Sequence, residues 1–168
     1  DHSGKTTLLE QIKGINNQKC MKLEKIPPTI GLNLTTIERP DAEFVFWDVG
    51  GQAVLRKIWN RYYSECNGII FVIDGSEEIR FAEVKETLQE MLSESEENEL
   101  LDIPFMFLLN KNDKSDFKGV DIISEKIGLN EFPLSDSVVL PISAIDKNGL
   151  EAALNWIYST IPESMQRQ

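Results

Sequence analysis

Two stretches limit the fold of this chain more than any other feature. Gly68-Ile69-Ile70-Phe71-Val72-Ile73-Asp74 and Pro104 to Leu109 lack the apolar/polar alternation of a strand that faces water. Continuous apolar runs of this kind suit strands covered on both faces, as in parallel sheets. Parallel strands need long crossovers, and the intervening sequence supplies them as helical patterns. Leu8, Leu9 and Ile12 mark one; Phe81, Val84, Leu88, Met91 and Leu92 mark another, from Ser76 to Leu92. Ile122, Ile123 and Ile127 mark a third, ending near Gly128, and Leu150, Ala153, Leu154, Ile157 and Ile161 a fourth. The pattern predicts an α/β fold with a mainly parallel sheet and helices on both faces. With 168 residues, 41% of them hydrophobic, and no internal repeat, one domain over 1–168 is expected.

Polar residues collect where the strands stop. Phe44 to Val49 reads as a strand of a hairpin with Leu32 to Ile37, and it delivers Asp48 to its own end, followed by Gly50, Gly51 and Gln52. Asp48 can be a satisfied terminal carboxylate, or it can serve a ligand that the two glycines let the backbone approach. Pro104 to Leu109 runs into Asn110-Lys111-Asn112-Asp113, and Val138 to Ile142 runs into Ser143-Ala144. Guanine presents N1–H and N2–H₂ side by side, which a carboxylate at Asp113 can accept together. Adenine would leave that carboxylate unpaired, and sites built on such pairing discriminate strongly. Asn110 would tie this loop to the chain's opening residues, the Lys111 stem would lie along the purine, and the Ala144 N–H would meet O6 with Ser143 bracing the turn.

The chain opens Asp1-His2-Ser3-Gly4-Lys5-Thr6-Thr7, the last part of a G-x-x-x-x-G-K-[ST] phosphate loop, whose first glycine would lie two residues before Asp1. The reading therefore expects an N-terminally truncated domain whose first strand precedes this sequence. Ser3, Gly4, Lys5, Thr6 and Thr7 would cradle phosphate through backbone N–H groups, with Lys5 on the β and γ phosphates and the Thr6 hydroxyl on Mg²⁺. His2 has backbone duty only. Pro27-Pro28-Thr29-Ile30-Gly31 is either a rigid linker or a stiff clamp presenting Thr29 to Mg²⁺ and the γ-phosphate. Leu55, Ile58, Trp59, Tyr62 and Tyr63 have helical spacing, with Arg56, Lys57 and Arg61 on the other side; these aromatics are core or partner anchors. Ser93 to Asp102 reads as an acidic solvated loop without chemistry.

The formal net charge of -11 argues against nucleic acid as a partner. Cys20 and Cys66 have no metal or disulfide spacing. The absence of a long apolar run, a secretory leader or a C-terminal prenylation motif leads to the expectation of a soluble, cytoplasmic protein.

Taken in order, G-K-T-T at Gly4 to Thr7, P-T-I-G at Pro28 to Gly31, W-D-V-G-G-Q at Trp47 to Gln52, N-K-N-D at Asn110 to Asp113 and S-A at Ser143 to Ala144 resemble the Ras-like small GTPases. Within these, the sequence resembles the ADP-ribosylation factor and ADP-ribosylation-factor-like family over nearly its whole length, and Tyr62-Tyr63-Ser64-Glu65-Cys66 looks like the Golgi-associated related branch. The resemblance implies a three-layer G domain acting as a GTP/GDP switch with slow hydrolysis in vesicle-mediated or intracellular protein transport. It implies Mg²⁺ on Thr6, Thr29 and Asp48, the γ-phosphate on the Gly51 N–H, and Gln52 as the catalytic residue that orients the attacking water. It also implies a monomer that meets an exchange factor, a GTPase-activating protein and effectors through Thr29 to Tyr63. An N-terminal amphipathic helix upstream of this sequence would reach Golgi or other endomembranes. The family's hairpin slides by two residues between nucleotide states, and an even slip keeps the apolar face of a strand inward. Leu32 stands where the family often carries an aromatic beside Trp47 and Tyr62. Two other readings stay open: a nucleotide-independent interaction module on a degenerate G domain, and an ATP-using enzyme.

Overall fold

Side-chain alternation along the middle strand explains the layering. The computed structural model describes residues 1–93 and 100–165. Strand β4 (Phe105–Asn110) is buried at every position. Its Met106 and Leu108 point into one core while Phe105, Phe107 and Leu109 point into another, as the period of two along a strand requires. The first core is closed by helices α1 (Lys5–Ile15) and α5 (Leu150–Met165), through Leu8, Ile12, Leu150, Leu154 and Ile157. The second is closed by α3 (Phe81–Ser93) and α4 (Val120–Ile127), through Leu88, Met91, Ile123 and Ile127. On either side of β4, strands β3 (Ile69–Asp74) and β5 (Ser137–Pro141) pair with it in parallel. The α/β layering read from the two apolar runs is therefore the one observed.

The sheet is not continuous. Strands β1 (Leu32–Glu38) and β2 (Glu43–Val49) form an antiparallel hairpin with Asn33 opposite Asp48 and Ile37 opposite Phe44. Among the described residues this pair shares no ladder with β3–β4–β5. The free edges of β2 and β3 instead border one cavity of about 670 Å³, walled by Leu8, Ile12, Phe46, Ile70, Trp156 and Ile157 among others.

Two helical boundaries differ from the sequence reading. Asp74 Oδ1 accepts both the Ser76 N–H at 3.0 Å and the Ser76 hydroxyl at 2.6 Å. That local turn holds Ser76 out of the helix, which starts only at Phe81 after a 3₁₀ turn over Glu78–Arg80. The expected helix through Leu55 and Tyr63 is split into a single turn, α2 (Ala53–Arg56), and a 3₁₀ segment, Trp59–Glu65. Helices this short persist only where tertiary contacts fix them. Here the Trp59 indole reaches back to the Gly50 carbonyl at 3.1 Å and Arg56 to the Gly51 carbonyl at 3.2 Å. Residues 94–99 of the expected acidic loop lie outside the described residues, while Leu100 and Ile103 at its end are core.

Candidate functional site

The C-terminal ends of β2, β3 and β4 carry Asp48, Asp74 and Asn110, and the loop before α1 crosses in front of them. That loop owes its path to two left-handed residues, His2 at φ 56 and Gly4 at φ 94. A Cβ on Gly4 would sit 2.4 Å from Asn110 Nδ2, so the position requires glycine for space as well as for its torsion. His2 has an exposed ring, 3.4 Å from the Asp1 carboxylate. The first helical bond of α1 runs from the Leu8 N–H to the Gly4 carbonyl at 2.9 Å. The amides of Lys5, Thr6 and Thr7 are thus left without an acceptor in the helix, and no acidic residue occupies the first turn. Such a terminus attracts anions. These residues line a cleft of about 190 Å³ closed on its far side by Ile26, Pro27, Pro28, Thr29 and Gly51.

Lys5 is the charge in that cleft. Burial pushes its ammonium below the usual lysine range; Asp48 pulls the other way, and Arg56 and Arg80 add to the depression. Gly51 allows the close approach, because a Cβ there would lie 2.6 Å from Lys5 Nζ. Beside it, Thr6 donates to Asp48 Oδ2 at 2.6 Å and Thr29 to the same oxygen at 3.3 Å, with 2.6 Å between the two hydroxyl oxygens. Asp48 Oδ1 is buried without a partner. Two hydroxyls crowded on one carboxylate oxygen, with the other oxygen unsatisfied, form a hard oxygen donor set that fits a divalent cation such as Mg²⁺. Among the described residues no group of three or more His, Cys, Asp or Glu side chains could hold a metal ion, so any cation here depends on hydroxyl and ligand oxygens. Gln52 opens α2 in extended backbone, half-buried, and its side chain makes no capping bond.

The second half of the site is organised by Asn110, which is 2% exposed. Its Nδ2 donates to the Ser3 carbonyl at 2.7 Å, and its Oδ1 accepts the Ala144 N–H at 2.9 Å. One side chain therefore joins the loop before α1, the end of β4 and the loop after β5. The Ala144 amide, expected to face O6 of a base, is turned inward to Asn110, because a buried carboxamide oxygen there needs a donor. Ser143, fully buried, braces the turn by accepting the Asp146 N–H at 3.0 Å. Lys111 takes a left-handed backbone, φ 69, and its ammonium pairs with Asp74. Burial alone would push the Asp74 carboxyl up, but the bonds from Lys111 and Ser76 outweigh it and hold it below the usual range. Asp113 stands exposed beside this turn, with no ion pair among the described residues. The Asn112 N–H donates to the Ile142 carbonyl at 3.0 Å, fixing its loop against the end of β5.

The sequence reading missed one cluster. Arg56, Arg80, Glu83 and Thr87 interlock beside Gly51. Its local signals are the spacings of three between Arg80 and Glu83 and of four between Glu83 and Thr87.

Comparison with known proteins agrees with this geometry. Residues 1–161 match the model of the ADP-ribosylation factor family. An ADP-ribosylation factor-like protein 3 from Saccharomyces cerevisiae is 40% identical over 160 residues, covering 94% of this chain and 79% of that protein. An ADP-ribosylation factor-related protein 1 from Bos taurus is 34% identical over 172 residues, covering 99% of this chain and 84% of that protein. Among solved structures, the Arl6 BBS3 small GTPase from Trypanosoma brucei with bound nucleotide analogue GppNp superposes with a TM-score of 0.82. It is 26% identical, and the match covers 98% of this chain and 94% of that one. The chain belongs to the ADP-ribosylation factor family of small GTPases, proteins that bind GTP and hydrolyse it.

Proposed function

We propose that this protein is a GTP/GDP switch with slow hydrolysis that acts in vesicle-mediated or other intracellular protein transport. The observation that carries the reading is the meeting of Thr6, Thr29 and the half-satisfied Asp48 beside Lys5. Hydroxyls separated widely in sequence come within bonding distance only if Thr29 closes over the end of α1, which is what a γ-phosphate would reward. Ser3, Gly4, Lys5, Thr6 and Thr7 hold the phosphates, the first through its loop backbone and the others through amides and the Lys5 charge. Thr6 and Thr29 would hold Mg²⁺, with Asp48 behind them, and the ion would supply neutralisation of charge on the phosphate oxygens. The Gly51 N–H binds the γ-phosphate. Gln52 orients a water for in-line attack on the γ-phosphorus, which breaks the bond to the β-phosphate oxygen and leaves GDP and inorganic phosphate. Asp113 accepts the two guanine donors, Asn110 fixes its loop, the Lys111 stem flanks the purine, and Ser143 and Ala144 close the far side.

Exchange factors, GTPase-activating proteins and effectors meet the surface from Thr29 to Tyr63. Along it Ile30, Leu34, Val45 and Val54 are exposed, and Trp47 meets Tyr62 edge-on at 5.4 Å. Leu34, Val45 and Trp47 share one face of the hairpin, and exposed apolar side chains gathered on one face favour a protein partner. Golgi or other endomembranes are the proposed place of action, with the protein a monomer between the cytoplasm and the membrane.

The same reading makes 1–168 one G domain whose first strand lies upstream, in the cavity between β2 and β3. Strand edges invite pairing, and Asp1, where that strand would enter the loop, lines the cavity. An ammonium at the Asp1 nitrogen is driven down to about 5, by burial first and then by Lys5, Arg80 and Arg56. A neutral peptide nitrogen escapes that penalty. Fluorescent GDP and GTP titrations, with and without Mg²⁺, test the switch: submicromolar guanine-nucleotide binding that ADP does not compete is expected, and equal ADP binding removes the reading. Extending the chain upstream by an apolar strand and the first loop glycine raises melting temperature and affinity together; no gain in either removes the domain proposal.

A further inference from the structure

Two arms of hydrogen bonds leave the phosphate cleft and meet on one carboxylate of α3. The first starts at Gly51, whose carbonyl accepts Arg56 Nε–H at 3.2 Å. Arg56 continues through Nη1 to the Thr87 hydroxyl at 2.7 Å and through Nη2 to Glu83 Oε1. The second starts at Asp1, whose carbonyl accepts Arg80 Nη1–H at 2.9 Å; Arg80 Nε then donates to Glu83 Oε2 at 3.0 Å. Each oxygen of Glu83 thus serves a different guanidinium. One guanidinium holds the loop before α1, and the other holds the peptide between Gly51 and Gln52.

The orientation of that peptide bears on chemistry. In a trans peptide the C=O and N–H point opposite ways. The Gly50 carbonyl is held by Trp59 at 3.1 Å and the Gly51 carbonyl by Arg56. The Gln52 N–H therefore points away from the Arg56 guanidinium and the Gly51 N–H away from the Trp59 indole, and a Cβ on Gly51, which joins these two peptides, would lie 2.6 Å from Lys5 Nζ. Resting on the proposed role of Gly51 and Gln52, we infer that Glu83 is a positioning residue: acting through Arg56 and Arg80, it locks the Gly51–Gln52 peptide to the phosphate loop. It serves γ-phosphate recognition and hydrolysis, and leaves GDP binding alone. Bonds from Arg80 and then Arg56 hold the Glu83 carboxyl down at about 2, so the joint is charged at every pH where the protein works.

The charge balance sharpens the expectation. Replacing Glu83 by glutamine keeps the shape and removes the negative charge between Arg56 and Arg80, both of which already press on Lys5. Extra positive charge near the cleft favours phosphate in general. A loss in turnover without loss in GDP affinity therefore cannot come from weakened electrostatics.

The test uses the full chain and its variants Glu83→Gln, Arg56→Lys and the double variant. Single-turnover GTP hydrolysis and GDP and GTP dissociation constants are measured on each. Misplacing reacting groups by about 1 Å costs on the order of 10²-fold in rate. Glu83→Gln is expected to slow hydrolysis by roughly tenfold or more and to lower the preference for GTP over GDP, with GDP affinity within about threefold of the parent. Arg56→Lys keeps the charge, loses the forked contact and gives the same split. The double variant is no slower than the worse single one, since the two groups act as one unit. Unchanged hydrolysis in Glu83→Gln, additive losses in the double variant, or an equal fall in GDP and GTP affinity overturns the inference. If Glu83→Gln does not fold, Arg56→Lys decides alone. A parent chain that takes up neither nucleotide sinks the switch reading itself, a result distinct from normal turnover in the variants.

Discussion

The two ends of the site are built in opposite ways. At the end read as the base pocket, Asn110 is buried with both functions of its carboxamide engaged, and it ties the paired ends of β4 and β5 to the loop before α1. At the phosphate end, one Asp48 oxygen is buried without a partner, two hydroxyls crowd the other, and a desolvated lysine stands beside two arginines. That end is carried in part by a hairpin that shares no ladder with the main sheet. At the first end Asn110 is fully paired and only the Asn112 side-chain oxygen in its loop is buried without a partner; at the other, the unpaired atom sits on the charged Asp48 beside a buried lysine, a tension that an anion and a cation together would relieve. A switch needs this asymmetry, because a ligand shifts a conformational equilibrium only by its differential interaction with the two states.

Removing the central charge of the tense end is the strongest way to break the contrast. Lys5→Met is expected to cost roughly 10³-fold in GTP and GDP affinity, about 4 kcal/mol, by loss of a desolvated charge-assisted contact. It should not destabilise the nucleotide-free chain. The Lys5 pKa is lowered in the fold, so its protonated form opposes folding at neutral pH, and that opposition fades as pH rises towards the unfolded value of 10.5. Thermal melts of the nucleotide-free variant at pH 7 should therefore match or exceed the parent, and the parent should gain more stability than the variant as pH rises towards 10.5. A melt that falls with Lys5→Met would mean the lysine is structural. Asp113→Ala comes next: about 100-fold in GDP affinity, some 2.7 kcal/mol, with selectivity over ADP lost, since the exposed carboxylate offers acceptors that only guanine pairs. Its melting temperature should not move.

How much of this was legible in the sequence follows the same division. Strands β3 and β4 announce themselves because an all-apolar run has few other fates. The Asn110 bridge was legible because a polar residue at the end of a buried strand must find partners nearby. The bond from the Ala144 N–H to Asn110 was not legible: a backbone N–H takes whichever acceptor the fold brings, and nothing local says that Asn110 is near. The break between α2 and Trp59–Glu65 was also hidden. Helical periodicity there is genuine, but the Arg56 and Trp59 side chains bond to backbone carbonyls of the preceding glycine pair, and Arg56 is drawn on to Glu83 and Thr87 of α3, which periodicity does not report. The Arg56–Glu83 pair spans 27 residues and leaves no periodic trace.

The end held by Asn110 yields a smaller effect on a different quantity. Asn110→Ala removes two buried hydrogen bonds and leaves the Ala144 N–H without an acceptor, which is worth about 2 to 3 kcal/mol of stability. Urea unfolding of the nucleotide-free chain measures it as a lower midpoint at constant slope. A loss confined to nucleotide affinity, with the midpoint unchanged, would show that Asn110 is no prior scaffold and that both ends wait for the ligand.

The smallest expected effect lies between the two ends, at the Glu83 joint. Its folded pKa is depressed to about 2 from a usual 4.5. A depressed carboxyl contributes stability that is present above the unfolded value and is lost as pH falls through the folded one. The window is therefore pH 4.5 down to about 2, and between 5 and 8 this carboxylate adds no pH dependence. Because the Glu83 side chain is 42% exposed, solvent and salt screen the pairs, and the contribution is a fraction of the full linkage value. In acid melts the parent should lose more stability than Glu83→Gln below pH 4.5, with the gap shrinking at high salt. Parallel acid profiles for the two proteins would mean the carboxylate holds its arginines without adding to the fold. The joint would then be a device for orienting Gly51 and Gln52 alone, and its whole effect would have to appear in turnover.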